Sequence, residues 1–413
     1  MSLISVEDAL ALVLRHARPL EAEVVPLLDA HVSGRVLATA LTATRPLPPF
    51  DMSAMDGYAV RAAHHRPGVW WPVTQHVAAG SPAALPLTGD GVARILTGAV
   101  LPDGADAVVL QEDVELDPER PRVRFAASPR PGEHVRRRAS DVAEGAPLLT
   151  AGQTIGPGEV ALLAAQGVLE LPVHRRPRVA ILSSGDELIE PSAGPPARGQ
   201  TVNGNAWALA LAVRDAGGVP QLGPIVPDAR EATEAAVSLG VEADVLVTTG
   251  GVSVGDHDHM GPTLARRCGD TLGFWKVALK PGKPLLFGRA GDCAVFGLPG
   301  NPASALVTFE LFVRPLLLAL QGHARVRRRP VDAISAHPLP AGGQRAEYLR
   351  CTLTTDPHGA LVADARRAQS SGALSSLAGA DALLIRPIGA PAVDAGGAVR
   401  VITLGVDHPA MRG

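Results

Sequence analysis

The sequence predicts a multidomain protein. A central parallel-sheet α/β domain is accompanied by a β-rich second domain and a small, β-barrel-like C-terminal domain. Three observations lead there. The chain has 413 residues, which at roughly 150 residues per domain suggests two to four domains. From Arg178 to about Leu320, β-branched apolar runs alternate with helical patterns, as in a parallel sheet covered on both faces. On either side of this block, short β-like runs are punctuated by Gly and Pro, with little helical periodicity. The boundaries read as 1–43 together with 132–177 for an N-terminal connecting region, 44–131, 178–326 and 327–413.

In order along the chain, SVEDALALVLRHA predicts a helix. Ser5 is its cap, Asp8 sits at the capping-box spacing, and Leu10, Val13, Leu14 and Ala17 share one face. WWPVTQHV, GVARILTG and DAVVLQE read as strands of the β-rich region, and GEVALLAAQGV as a short helix stopped by Gly167. In the α/β block, RVAILSSGDEL, PQLGPIV, DVLVTTGG and AVFGLPG are strands. NAWALALAVRDAGG is a helix with Asn205 as its cap and Gly217-Gly218 as its stop; DAREATEAAVSLG, HMGPTLARRCG and ASALVTFELFVRPLLLAL are further helices. HARVRRRP, at 323–330, reads as a basic linker. EYLRCTL, ALLIRPI and AVRVITL are short strands of the last domain.

Composition narrows the function classes. Formal net charge is −3, which gives no reason to expect bulk nucleic-acid binding. Aromatics are 3% of residues, so the cores must be built from Ala, Val and Leu. Cys268, Cys293 and Cys351 lack metal-ligand spacing and fit reduced thiols of a cytoplasmic protein. Glu7 and Asp8 stand where a signal peptide would carry cations. VTFELFVRPLLLAL, broken by Glu310, Arg314 and Pro315, reads as too short and too charged to span a bilayer.

The chemistry concentrates between Val245 and Ser304. DVLVTTGGVSVGDHD runs an apolar strand into Gly250, Gly251, Ser253 and Gly255, a loop suited to bringing backbone amides close to a charged ligand. GLPGNPASA places Pro299, Gly300, Asn301 and Pro302 at a helix start with free N–H groups. Ligands of such sheets bind beyond the carboxyl ends of strands, where these two loops and SSGDEL all fall. Glu187, Asp228 and Asp258 each follow a strand and together could hold Mg²⁺ with phosphate oxygens. The plainer alternative makes Asp186 or Glu187 a turn cap and Asp228 the cap of the following helix. The Asp256–His259 alternation reads as a solvated loop rather than a zinc site. Lys276 and Lys280 would share one face of an extended strand, about 13 Å apart, with Lys283 in the next turn; edge-strand lysines that block aggregation are the alternative. Upstream, Asp51, Ser53, Asp56 and Thr97 taken alone are turn residues. This much points to a phosphorylated anion and a divalent metal.

Taken together, the segments FDMSAMDGYAV, LTGAVLPDGADAVVLQED, GEHVRRR, LLAAQGV, RPRVAILSSGDEL, TTGGVSVGDHD, WKVALKPGKPLLFG and GLPGNPASA resemble the MoeA family. These are the molybdopterin molybdenumtransferases, a family that also includes the C-terminal part of gephyrin. The segments run in the family's order from about Pro48 to Ala305. The resemblance implies an α/β domain of the molybdopterin-binding type. It implies insertion of molybdate into the dithiolene of adenylylated molybdopterin, with Mg²⁺ and loss of AMP. It implies active-site roles for Asp56 and Thr97, acidic metal and substrate positions at Glu187, Asp228 and Asp258, and a pterin and oxyanion pocket lined by Lys276, Lys280, Pro299 and Pro302. Arg350 and Ser371 are implied near the molybdate. Homodimers are implied, with the second domain of one subunit reaching the α/β domain of the other, and so are other cofactor-biosynthesis proteins as partners. The chain departs from the pattern at Met52, Ala139-Ser140, Asn203-Gly204 and Pro227, which keeps a specialised duplicate in play. Molybdopterin adenylyltransferase and a non-catalytic scaffold are the competing readings. The β-rich and terminal domains speak against the first, and the retained acids and lysines against the second.

Overall fold

A computed structural model of the protein describes residues 3–29, 31–81, 85–252 and 259–405. The chain forms two compact units. One comprises Met1–Ala38, Gly152–Gly156 and Glu170–Gly413; the other comprises Thr39–Ala151 and Pro157–Leu169.

The larger unit opens with the helix Val6–Arg15. Ser5 Oγ accepts the Asp8 amide at 3.0 Å, as its spacing predicts. Val6, Ala9, Leu10 and Val13 enter a core shared with the strands of the α/β sheet. That sheet has six strands in the order Val219–Val226, Arg178–Ser184, Val245–Thr249, Cys293–Leu298, Leu286–Ala290, Phe274–Trp275. The first four are parallel, whereas the last two join antiparallel. The expected parallel sheet is therefore mixed, for a local reason. Two residues, Gly291 (φ 62°) and Asp292, connect Leu286–Ala290 to Cys293–Leu298, and a two-residue loop joins only antiparallel neighbours.

Alternation along the strands decides which helix covers which face. Val179, Ile181, Val245 and Val247 pack with Leu209 and Val213 of the helix Gly204–Asp215. Ala180, Leu182 and Leu246 pack on the other side with Val237 of Arg230–Gly240 and with Met260 and Leu264 of Met260–Cys268.

The last helical run is continuous from Pro302 to Leu320, through a π-helical turn at Phe309–Val313. Pro315 removes an N–H at that point, and the wider turn lets the helix carry on past it as the single run the sequence predicts. By length and composition this helix could cross a membrane, contrary to expectation. Most of it is buried, and Val307, Phe312, Leu316 and Leu317 belong to the central core. The basic stretch after it is anchored as well as connecting: Arg328 pairs with Glu310 and donates to the Gly405 carbonyl at 3.1 Å.

Five strands, Val331–Ser335, Ala346–Thr355, Leu361–Asp364, Ala382–Arg386 and Ala398–Thr403, close into a small barrel. Closure comes from Ala346–Thr355 pairing with both Leu361–Asp364 and Ala382–Arg386. Cys351, Ala363, Leu384 and Val401 fill it. The short strand Leu279–Lys280 adds in parallel to its rim.

The smaller unit holds a six-stranded sheet in the order Ala107–Leu110, Gly57–Val60, Val92–Ile95, Trp71–Val77, Arg122–Phe125, Val114–Leu116. Its helix Pro157–Ala165 ends near Gly167, whose φ is 73°.

Candidate active site

A cleft of about 910 Å³ opens beyond the carboxyl ends of the parallel strands in the larger unit. Three strand-end loops line it, at Ser184–Glu187, Thr249–Val252 and Pro299–Pro302, and the barrel contributes Gly372 and Leu374. Three of the predicted loops thus meet on one rim, joined by the barrel segment that follows Ser371.

Gly250 has φ 89° and Gly251 has φ 64°, conformations that a side chain would strain. A Cβ on Gly250 would also run into the Ser184 carbonyl of the neighbouring loop. Trp275 anchors the end of this turn, its indole donating to the Val252 carbonyl at 3.0 Å. Ser253, Gly255 and Asp258 lie outside the described residues, as does most of the Asp256–His259 alternation.

The acids behave differently from the capping alternative. The helix Arg230–Gly240 has Ala229, not Asp228, at its cap position. Asp228 instead accepts the Ser184 hydroxyl at 2.9 Å, while its own amide donates to Asp186 at 3.0 Å. These bonds tie two strand ends together. Glu187 is exposed beside Gly185. Both carboxylates face the same cleft. Among the described residues, no three His, Cys, Asp or Glu side chains gather into a ready-made metal cage.

The lysines do not share a strand face, which corrects the sequence reading. Phe274–Trp275 pairs within the α/β sheet and Leu279–Lys280 within the barrel, so the chain changes sheet between Lys276 and Lys280. The chain can make this change because Val277 and Leu279 are both fully buried, so their apolar side chains hold the crossing. Lys280 pairs with Glu347 on the adjacent barrel strand at 2.7 Å. Lys283 is exposed in the turn before Leu286–Ala290.

Asn205 is not the helix cap. Asn203 holds that position, without a side-chain bond. The Asn205 amide instead reaches across the cleft floor to Thr249 Oγ1 at 3.0 Å and the Gly300 carbonyl at 2.8 Å. On the barrel side, Asn301 donates to Ser371 Oγ at 3.1 Å, and the Ala303 amide donates to the Ser371 carbonyl at 3.1 Å. Ser371 is therefore next to the loop as expected. Arg350 is fully buried on the outer face of its barrel strand, beneath the segment that carries Ser371. It donates to the carbonyls of Ala368 and Ser370 at 3.0 Å and to Ser376 Oγ at 3.1 Å. Burial lowers its pKa from the ordinary arginine value. Its position makes it the support of the segment that carries Ser371 and Gly372.

In the smaller unit, Asp56 accepts both the amide and the hydroxyl of Thr97 at 2.7 Å. The Thr97 amide, and then its hydroxyl, hold the carboxyl below the ordinary aspartate range. Asp51 accepts the Arg138 amide and the Arg137 guanidinium, each at 2.7 Å. A separate groove of about 780 Å³ lies between the strands and the segment Ala126–Arg130.

Strand-end glycine turns, a long helix beginning at the cleft and rim carboxylates define an α/β protein built to receive a phosphorylated or otherwise anionic ligand. Three family models match the chain in succession: the MoeA N-terminal region (domain I and II) over residues 4–167, a probable molybdopterin binding domain over 180–319, and the MoeA C-terminal region (domain IV) over 332–404. The molybdopterin molybdenumtransferase of Nostoc sp. is 38% identical over 394 residues, covering 93% of this chain and 89% of that protein. That of Bacillus subtilis is 33% identical, covering 97% and 94%. A crystal structure of the molybdopterin biosynthesis MoeA protein of Pyrococcus horikoshii superposes with a TM-score of 0.83 at 29% identity, over 98% of this chain and all of that one. The chain belongs to the MoeA family.

Proposed function

We propose that the protein is a molybdopterin molybdenumtransferase of molybdenum cofactor biosynthesis, which joins molybdate to adenylylated molybdopterin with Mg²⁺-dependent loss of AMP. The observation that carries this reading is the convergence of three glycine- and proline-shaped loops and a barrel segment on one cleft. Its volume of about 910 Å³ suits a ligand as large as a pterin nucleotide. Family membership supplies the reaction.

The donor set fits Mg²⁺. Glu187 and Asp228 offer oxygen ligands on one rim, and Mg²⁺ uses one or two carboxylates completed by substrate phosphate oxygens and water. Glu187 and Asp228 would hold the ion, and the family resemblance adds Asp258. When bound, the ion would neutralise charge on the phosphoanhydride that breaks. This chain's own groups do the rest. The Gly250-Gly251 turn admits backbone close to the ligand. Gly300 and Asn301 present a helix start to its anionic end. Lys276, Lys280 and Lys283 would supply cationic charge for molybdate, itself a dianion that phosphate would repel, a role that for Lys276 and Lys280 rests on the resemblance. Asp56 and Thr97 form a pre-aligned acid–hydroxyl pair, whose active-site role rests on the resemblance. A homodimer belongs to the same reading. So does a cytoplasmic setting, supported by three buried thiols that burial pushes up to about 11 at Cys268 and about 12 at Cys293 and Cys351.

The test is incubation of the purified protein with adenylylated molybdopterin, Mg²⁺ and molybdate, following AMP. Release that needs both the metal and the oxyanion is expected. AMP release that is indifferent to molybdate would refute the reading.

A further inference from the structure

We infer that Asn205 is a positioning residue for this site, one that shapes the Pro299–Asn301 turn for the anionic end of the substrate. The inference rests on the functional reading above and deepens it.

The geometry is a short relay. Asn205 carries one –NH₂ group with two hydrogens, and both are committed: one to Thr249 Oγ1 at 3.0 Å and one to the Gly300 carbonyl at 2.8 Å. Thr249 Oγ1 passes its own hydrogen to the Pro299 carbonyl at 3.2 Å. Two successive carbonyls of the turn are thereby pulled toward the helix Gly204–Asp215 and the strand Val245–Thr249. Donors in series polarise one another, so the relay holds better than isolated bonds.

The consequence falls on the opposite edge of the same peptides. Among the described residues the cis peptide bonds are Leu47-Pro48 and Lys280-Pro281, so Pro299-Gly300 and Gly300-Asn301 are trans. In a trans peptide the N–H points away from the C=O. Pinning the carbonyls of Pro299 and Gly300 therefore fixes the N–H groups of Gly300 and Asn301 on the other side. Among the described residues, neither N–H has a protein acceptor. Both residues are exposed and line the cleft, and the helix begins with the next residue, Pro302. Two oriented, unspent amides at a helix start suit a phosphate or oxyanion group. Asn205 touches no reacting atom in this account; it acts through the turn.

An aspartate at this position has the same shape but no hydrogen to give, and its charge would repel the Gly300 carbonyl. The test uses Asn205→Asp and Asn205→Ala in the full-length protein. Far-UV circular dichroism and melting temperature confirm the fold. Binding of adenylylated molybdopterin is measured directly by calorimetry, and AMP release is measured alongside. The expected result is a dissociation constant raised about tenfold or more in both variants, with KM rising more than kcat falls. Thr249→Val, which removes the middle of the relay, should weaken binding similarly. The double variant with Asn205→Ala should be little worse than the weaker-binding single, since both act on one turn. Binding within twofold of wild type in the folded single variants would overturn the inference, and so would losses that multiply in the double variant. If Asn205→Ala does not fold, Thr249→Val and Asn205→Asp decide the matter by the same criterion. Failure of wild type itself to bind the nucleotide or release AMP would be failure of the functional reading instead, so the two outcomes are distinguishable.

Discussion

Replacing Gly250 by alanine should cost the larger unit much of its stability, whereas the same change at Gly300 should cost little. Gly250 lies at φ 89°, where an L-residue loses about 1–2 kcal/mol. A Cβ there would also meet the Ser184 carbonyl. The obstacle is backbone at the end of a central strand, which cannot rotate aside, so overpacking adds about 1–3 kcal/mol. The two causes are independent and sum to about 2–5 kcal/mol, a large part of a typical folding free energy of about 5–15 kcal/mol. Gly300 has no positive φ, and its Cβ would come to 3.4 Å from Gly250 Cα. The expected cost there is under about 1 kcal/mol. Urea unfolding followed by tryptophan fluorescence suits the comparison, because Trp275 bonds the Val252 carbonyl two residues beyond Gly250. An unfolding midpoint for Gly250→Ala equal to wild type, or an equal loss for Gly300→Ala, would show that the close approach of the two loops is not what holds the rim.

Three further outcomes are expected. Thr97→Val removes a hydroxyl donor from Asp56, so the depressed carboxyl pKa should rise toward the ordinary aspartate value; ¹³C NMR titration of the carboxyl reads this, and an unmoved pKa would leave the Thr97 amide and the Arg94 charge as its causes. Asp244→Ala should destabilise the larger unit by about 2–3 kcal/mol at pH 7, a buried-pair cost reduced for partial exposure, because Arg175 would lose its two bonds of 2.6 and 2.7 Å. Burial raises the Asp244 pKa, but the Arg175 guanidinium and the Arg178 amide outweigh it, so the folded value is lowered from 3.8. That contribution is present above pH 3.8 and is lost as pH falls through the folded pKa, so wild type and variant should converge in acid; a gap that persists there would point to packing rather than charge. Lys280→Ala should raise the half-saturating molybdate concentration by roughly tenfold, about 1.4 kcal/mol, with a smaller effect on nucleotide binding. An unchanged titration would reduce Lys280 to the structural partner of Glu347.

Much of the fold could be read from the chain because its signals are local. The Ser5 cap, the Gly167 and Gly217 helix stops and the β-branched runs each act within a few residues, and each appears where its chemistry puts it. The Gly250-Gly251 and Pro299–Pro302 turns were legible for the same reason: unusual backbone demands unusual residues. The mixed sheet was less legible because a two-residue connection at Gly291-Asp292 had to be noticed between two apolar runs, and its consequence is one of direction rather than of propensity.

The side chains that join elements were hidden by a different cause. A polar residue near a helix start has two uses, capping its own amides or reaching a neighbouring strand, and the local sequence is the same for both. Asn205 and Asp228 were each open to the capping reading, yet both spend their bonds across the sheet. The sheet order explains why. Arg178–Ser184 lies between the strands that end near Asp228 and Thr249, and Thr249 in turn lies beside Leu298. The groups that satisfy Asn205 and Asp228 therefore come from loops 42 or more positions away in sequence, beyond any window in which periodicity operates. Arg350 makes the same point from the opposite side. The resemblance makes Arg350 a candidate for an anion, but alternation turns its side chain to the face opposite Cys351, outside the barrel core, where three acceptors of one loop cover it and take its hydrogens. There a positive charge with no acid partner among the described residues is tolerated because the loop carbonyls face it, and the loop so held is the one that delivers Ser371 to Asn301. The contribution of Arg350 to the site is thus the shape of a loop, and a lysine there, lacking the planar fork of donors, would not reproduce it.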